Sequence, residues 1–202
     1  MDKVPVPVSF IAMRPRDGFP SVSTDNFHGA VVAIQHLFDC GRKAIGHISG
    51  PLSWWEADER KRGWHETLNA AKLDTSEQRC VEGNWSSASG EQAFIQLLQS
   101  FPDMDAVFVA NDQMALGLLR ETLRRGIGVP EQLAVIGFDN IPESAYFYPA
   151  LTTISQDLQL LGGQAVQNIV EMIQARQENR SVIAQSSFIQ PTLVVRESTR
   201  RA

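Results

Sequence analysis

The stretch Asp105–Gly117 (DAVFVANDQMALG) restricts the fold of this chain more than any other. It opens with a short apolar run rich in β-branched and aromatic residues, which predicts a buried strand. Three polar residues follow, and then Met114, Ala115, Leu118 and Leu119 recur at helical spacing. Asn111 and Asp112 therefore stand where a strand ends and a helix begins. In an open α/β sheet that point is the carboxyl edge, where ligands bind. Capping of the helix N-terminus is the competing role for either residue, and the stretch alone is compatible with both.

The rest of the chain repeats the pattern. Val4 to Met13 predicts a strand, with Pro5 and Pro7 confined to its start. After a turn cluster at 14–20 and an extended Ser21–Thr24, a helix is predicted from Asp25 or Asn26, burying Ala30, Val31, Ile34, Leu37 and Phe38 and stopping at Gly41. Further strands are expected at Lys43–Ser49, Arg79–Glu82, Leu133–Phe138 and Thr152–Ser155, with one or two more at Phe188–Val195. Helices are expected at about Glu56–Ala71, after Trp85, up to Gly126, and at Asp157 to about Gln177. Strand and helix alternating over short connections predict a mainly parallel, doubly wound α/β sheet. Polar residues recur at predicted strand ends, at Asp25, Ser49, Asn111 and Asp139, more often than capping alone explains, so that edge is the expected site.

Composition narrows the function. The chain has 202 residues, 43% hydrophobic and 20% charged, and a formal charge of −5, a balance that does not suit holding DNA phosphates by itself. Cys40 and Cys80 lie in no metal-site or redox spacing, and free thiols in a reducing compartment are expected. No export signal or membrane-length apolar run is legible, so the expected location is cytoplasmic. There is no phosphate-binding loop, dinucleotide fingerprint or nucleophile elbow, and no paired histidines at ligand spacing. No metal, no cofactor and no catalysis are expected.

Eight motifs in order carry a family resemblance: Thr24–Asn26, Ile48–Leu52, Arg60–Trp64, Gly83–Gly90, Ala110–Gly117, Val135–Asn140, Leu151–Ile154 and Val194–Ser198. Together they resemble the effector-binding module of lactose-repressor-type transcriptional regulators, from about Val4 to Ser198. The resemblance implies a periplasmic-binding-protein-like fold of type I, with two doubly wound parallel-sheet lobes. It implies an incomplete N-terminal lobe at 1–40 plus 156–185 and a C-terminal lobe at 41–152 plus 187–202, with crossings near Gly41, near Ile154 and near Gln185–Ser187.

Carried over residue by residue, the resemblance makes Asp25, Arg60, Asn111 and Asp139 polar ligands of a small-molecule sugar effector and Trp85 an aromatic wall, with Gln113 and Trp54 joining the set. Carboxylates accept from two hydroxyls, a guanidinium donates in a planar fork, an amide does both, and an indole covers a C–H face. Each of these residues also has a plain structural role open to it, as cap, surface charge, core packing or turn. Arg60 and Asp139 are assigned outside the core. The repressor that gives the family its name has small residues where Trp54 and Glu56 fall, so the sugar itself does not transfer.

The aromatic run at Tyr146, Phe147 and Tyr148 implies a homodimer interface with Phe147 near its centre. Operator DNA would be read only through a helix-turn-helix that this chain lacks. A sugar-binding protein of a transport system is the alternative reading, and an enzyme on the same sheet a third.

Overall fold

The computed structural model describes residues 6–180 and 185–200. The chain divides into two compact units, Met1–Asp25 with Gln156–Pro191, and Asn26–Ser155 with Thr192–Ala202.

The larger unit is built on a six-stranded sheet. Its strands are β3 (Ile45–Ser49), β4 (Cys80–Glu82), β5 (Ala106–Val109), β6 (Ala134–Asp139), β7 (Thr152–Ser155) and β9 (Thr192–Val194), in the spatial order β4-β3-β5-β6-β7-β9. All pairings are parallel except β7 with β9. The central strands read as continuous apolar runs because both of their faces are covered. On one face Ala106, Phe108, Ala134, Ile136 and Phe138 meet Ala30, Ala33, Ile34 and Leu37 of α1 (Asn26–Asp39) and Trp64 and Leu68 of α2 (Trp55–Ala70). On the other, Val107, Val109 and Val135 meet Phe94 and Leu97 of α3 (Ser87–Ser100) and Met114, Leu118 and Leu119 of α4 (Asp112–Arg125).

Two glycines set how closely α3 and α4 approach. A Cβ at Gly117 would lie 1.8 Å from the Ser87 carbonyl oxygen, and one at Gly90 would lie 2.1 Å from that of Met114. The contact brings the N-terminal ends of the two helices, and so Trp85 and Asn111, side by side.

The smaller unit has a three-stranded parallel sheet, β1 (Phe10–Ile11), β2 (Ser21–Thr24) and β8 (Ser186–Ile189), with β2 in the middle. Leu161 and Ala165 of α5 (Leu158–Gln177) close its core against Val22 and Ile189. Asp157 caps α5, its carboxylate accepting from the Leu160 amide at 2.8 Å.

The expected order of elements is found throughout, with two differences. The predicted strand at Val4–Met13 pairs only over Phe10–Ile11, and Ala12 then turns to φ +52°; Val4 and Pro5 lie outside the described residues. The division of the chain also differs from the expected one. Residues 26–39 join the larger unit, because the buried stripe of α1 faces Trp64, Leu68, Ile45 and Phe108. The chain passes between units at Asp25/Asn26, Ser155/Gln156 and Pro191/Thr192; the second lies beside Ile154 as expected, while the first and third replace the crossings expected near Gly41 and near Gln185–Ser187.

Candidate functional site

At the carboxyl edge of the larger sheet β3 is flanked by β4 on one side and β5 on the other, so the connections leaving these strands diverge there. This is a topological switch point, the place where doubly wound sheets bind ligands. A pocket of about 430 Å³ occupies it, lined by Trp54, Glu56, Arg60, Trp85, Asn111, Gln113 and Asp139. The residues come from the segments that follow β3, β4 and β5 and from the end of β6. A larger cleft, about 540 Å³, opens at the opposite, amino edge. There Asp105 accepts from the Lys43 and Ala44 amides and Arg42 donates to the Pro130 carbonyl, so those charges serve the turns.

Arg60 anchors the pocket. It is 5% exposed, against the expectation that it stands outside the core. Its Nε donates to Asn26 Oδ1 at 2.8 Å, its Nη1 to the Ala110 carbonyl at 2.5 Å, and Nη1 lies 3.6 Å from Asp139 Oδ1. The guanidinium lies over the Phe138 ring, 3.7 Å from its centroid, and 5.8 Å from that of Trp85. Burial pushes its pKa down, while Asp139, Glu56 and Asp112 hold it up. A charge held this way is rigid, with its remaining donors fixed in direction before any ligand arrives.

Strained backbone gathers here. Trp85 (φ +72°), Asp139 (φ +111°) and Asn140 (φ +53°) all sit in the region that favours glycine. Such conformations cost about 1–3 kcal/mol each and concentrate at ligand sites. Trp85 is held by its contacts: its carbonyl accepts from Asn111 Nδ2 at 3.0 Å, and its ring covers Gly50, where a Cβ would come within 2.1 Å of it. The Trp54 and Trp85 rings lie 6.2 Å apart at 74°.

Of the residues the sequence nominates, Arg60, Trp85, Asn111, Asp139, Gln113 and Trp54 come together. Asn111 takes both of the roles left open. It caps α4 through the Met114 amide at 2.9 Å while also lining the pocket, and its Nδ2 holds Gln113 Oε1 at 2.9 Å. With its hydrogen bonds spent internally, Asn111 orients Gln113 and Trp85. Ser49, also expected on the edge, is fully buried. Asp25 belongs to the smaller unit, where its carboxylate accepts from Gln190 Nε2 at 3.1 Å.

Asp112 turns inward. Its oxygens accept from Thr153 Oγ1 at 2.6 Å and the Ile141 amide at 2.9 Å, and burial lifts its pKa to about 7 against the pull of those two donors. It ties the turn after β5 to the corner after β6.

Sequence reasoning did not nominate Glu56, which lies four residues before Arg60 in α2 and so on the same helical face. That spacing was the available signal. Asn26 and Phe138, which aim the guanidinium, carried none. In the aromatic segment Tyr146 and Tyr148 are 89% and 84% exposed. Phe147, expected at the centre of an interface, is partly buried and packs on one side against the core cluster of α3 and α4.

No group of three or more His, Cys, Asp or Glu side chains that could hold a metal occurs among the described residues, and no described helix is long and apolar enough to cross a membrane.

Residues 34–199 match the periplasmic binding protein-like domain model. The chain is 35% identical over 168 residues to the lactose operon repressor of Klebsiella pneumoniae, covering 83% of this chain and 47% of that protein. It superposes on a structure of the transcriptional regulator CelR with cellobiose at a TM-score of 0.88, with 30% identity, over 94% of this chain and 58% of the other. On a lac repressor dimer bound to operator and the anti-inducer ONPF the TM-score is 0.86, with 32% identity, over 96% and 57% of the two chains. The chain spans about half the length of the curated relatives it matches. Switch-point pocket, doubly wound larger unit and sequence agree: the chain belongs to the periplasmic binding protein-like domain family, as a module of the lactose-repressor type.

Proposed function

We propose that this chain is the effector-binding and dimerising module of a sugar-responsive transcriptional regulator, a repressor working in the cytoplasm. The observation that carries the reading is Arg60, buried at the switch-point edge, with its Nη1 3.6 Å from Asp139 in a pocket walled by two tryptophans. Fixed donors and acceptors beside flat apolar faces are what a sugar's hydroxyls and C–H faces require. Arg60 donates to ring hydroxyls, Asp139 and Gln113 complete the polar set, and Trp85 and Trp54 cover apolar faces. Asn111 acts by holding Trp85 and Gln113.

The named relatives are regulators, which supports this reading over the sugar-binding protein of a transport system, and no catalytic step is assigned. Operator DNA is read by a helix-turn-helix outside this chain, and two copies associate through the exposed tyrosines Tyr146 and Tyr148.

Calorimetric titration of the chain with lactose and cellobiose, beside denaturation curves, tests the site. Asp139→Asn should weaken binding about tenfold and also lower stability, since it removes both a charged acceptor and the carboxylate that most supports the buried Arg60 charge. Arg60→Ala should weaken binding by about tenfold to a hundredfold and also cost about 3 kcal/mol of stability, because it removes a buried guanidinium that donates to Asn26 and the Ala110 carbonyl and faces Asp139. Unchanged affinity in both variants refutes the assignment.

A further inference from the structure

Trp54 stands at the rim of the Arg60 pocket with 57% of its surface exposed. It occupies the N-cap position of α2 and makes no side-chain capping bond there. Helix formation therefore does not ask for an indole at this place, where a large apolar surface is left in water. What the ring does is meet Trp85 at 74°, so that the two indoles form a corner.

That corner has a consequence for ligand size. A pyranose offers an indole one flat C–H face at a time, so a single sugar ring covers one wall. Covering both needs a second ring set at an angle to the first, which a glycosidic linkage provides. The inner wall is Trp85, 5.8 Å from the guanidinium; the outer wall is the more exposed Trp54.

Glu56 adds a charge condition. It lines the same pocket, and among the described residues its carboxylate makes no hydrogen bond or ion pair, feeling Arg60 only through space. Glu56 and Asp139 together outnumber the single guanidinium. A phosphate entering the pocket would meet that excess of negative charge, whereas an uncharged sugar finds a free acceptor for its hydroxyls.

We propose that Trp54 and Glu56 form an outer subsite, and that the pocket takes an uncharged glycoside of at least two sugar rings in preference to a monosaccharide or a sugar phosphate. The proposal rests on the sugar-binding reading given above.

The test is calorimetric titration of the chain with glucose, galactose, cellobiose, lactose and glucose 6-phosphate, repeated on Trp54→Ala and Glu56→Gln. At least one disaccharide should bind about tenfold tighter than its monosaccharide, as expected for one added stacked ring. Trp54→Ala should bring that ratio close to one by weakening the disaccharide alone, with the melting curve unmoved. Glu56→Gln should improve glucose 6-phosphate relative to glucose by roughly fivefold. Equal weakening of monosaccharide and disaccharide in Trp54→Ala overturns the outer subsite and leaves the sugar site standing. So does glucose 6-phosphate binding tightest to the unaltered chain. Folded protein that binds none of the five overturns both.

Discussion

Two buried titratable groups in the larger unit oppose each other with pH, and removing either should unmask the other. His47 in β3 is fully buried, stacked between Phe108 (4.8 Å, 13°) and Trp64 (5.5 Å, 24°), and burial drops its pKa to about 3 despite its contact with the Phe108 carbonyl. The folded state thus binds this proton more weakly than the unfolded chain, whose histidine titrates near 6.5. Stability from His47 is present above pH 6.5 and is lost as pH falls toward 3. At about 1.4 kcal/mol per pH unit, the full loss is about 5 kcal/mol.

Asp112 runs the other way. Its pKa is raised to about 7 from 3.8, so its contribution is present below pH 3.8 and lost as pH rises through 7, by about 4 kcal/mol in all. Between pH 4 and 6.5 the two slopes are nearly equal and opposite. Asp112→Asn should therefore gain stability relative to the unaltered chain by about 1.4 kcal/mol for each unit of rising pH across that window. His47→Gln should gain by the same amount for each unit of falling pH. The fixed cost of each substitution shifts the whole curve and leaves its slope untouched. Urea unfolding followed by circular dichroism at half-unit steps from pH 4.5 to 7.5 reads these slopes. Variant curves that run parallel to the parent's would refute the argument, because neither group would then change protonation on folding.

Two further outcomes follow from packing. Gly117→Ala should cost at least about 2–3 kcal/mol, because its methyl would lie 1.8 Å from the Ser87 carbonyl and push α3 off α4; an unchanged denaturation midpoint would show that the close approach is not needed. Tyr146→Asp with Tyr148→Asp should shift sedimentation toward monomer at an unchanged melting temperature, whereas Phe147→Asp should lower the melting temperature because that ring packs on the core; the reverse pattern would put Phe147 at the interface after all.

The order of elements and the edge that carries the candidate site were legible in the residues. A strand buried on both faces has to be apolar throughout, as Ala106–Val109 and Ala134–Phe138 are, and a helix packed on it has to repeat at 3.6, as Met114, Leu118 and Leu119 do. The polar residues that interrupt these patterns therefore stand at strand ends, and in a parallel sheet those ends share one edge. Local chemistry alone places Asn111 at the start of α4 and Asp157 at the start of α5.

What each polar residue does on that edge was decided by neighbours distant in the chain. Arg60 reads as a surface charge in a helix rich in Glu, Lys and Arg, yet it is buried because Asn26, the Ala110 carbonyl and the Phe138 ring, 34 to 78 positions away by residue number, converge on its guanidinium. Asp112 and its neighbour Asn111 are alike in sequence, but Thr153 and Ile141 draw one inward while Trp85 and Gln113 keep the other at the pocket. The same holds for α1, assigned by its partners to the larger unit, and for Phe147, turned onto the core between two exposed tyrosines. Periodicity reports only that a face is apolar or that a residue ends a strand. Which surface that face meets, and which donors surround that residue, depends on contacts between segments that only the folded chain brings together.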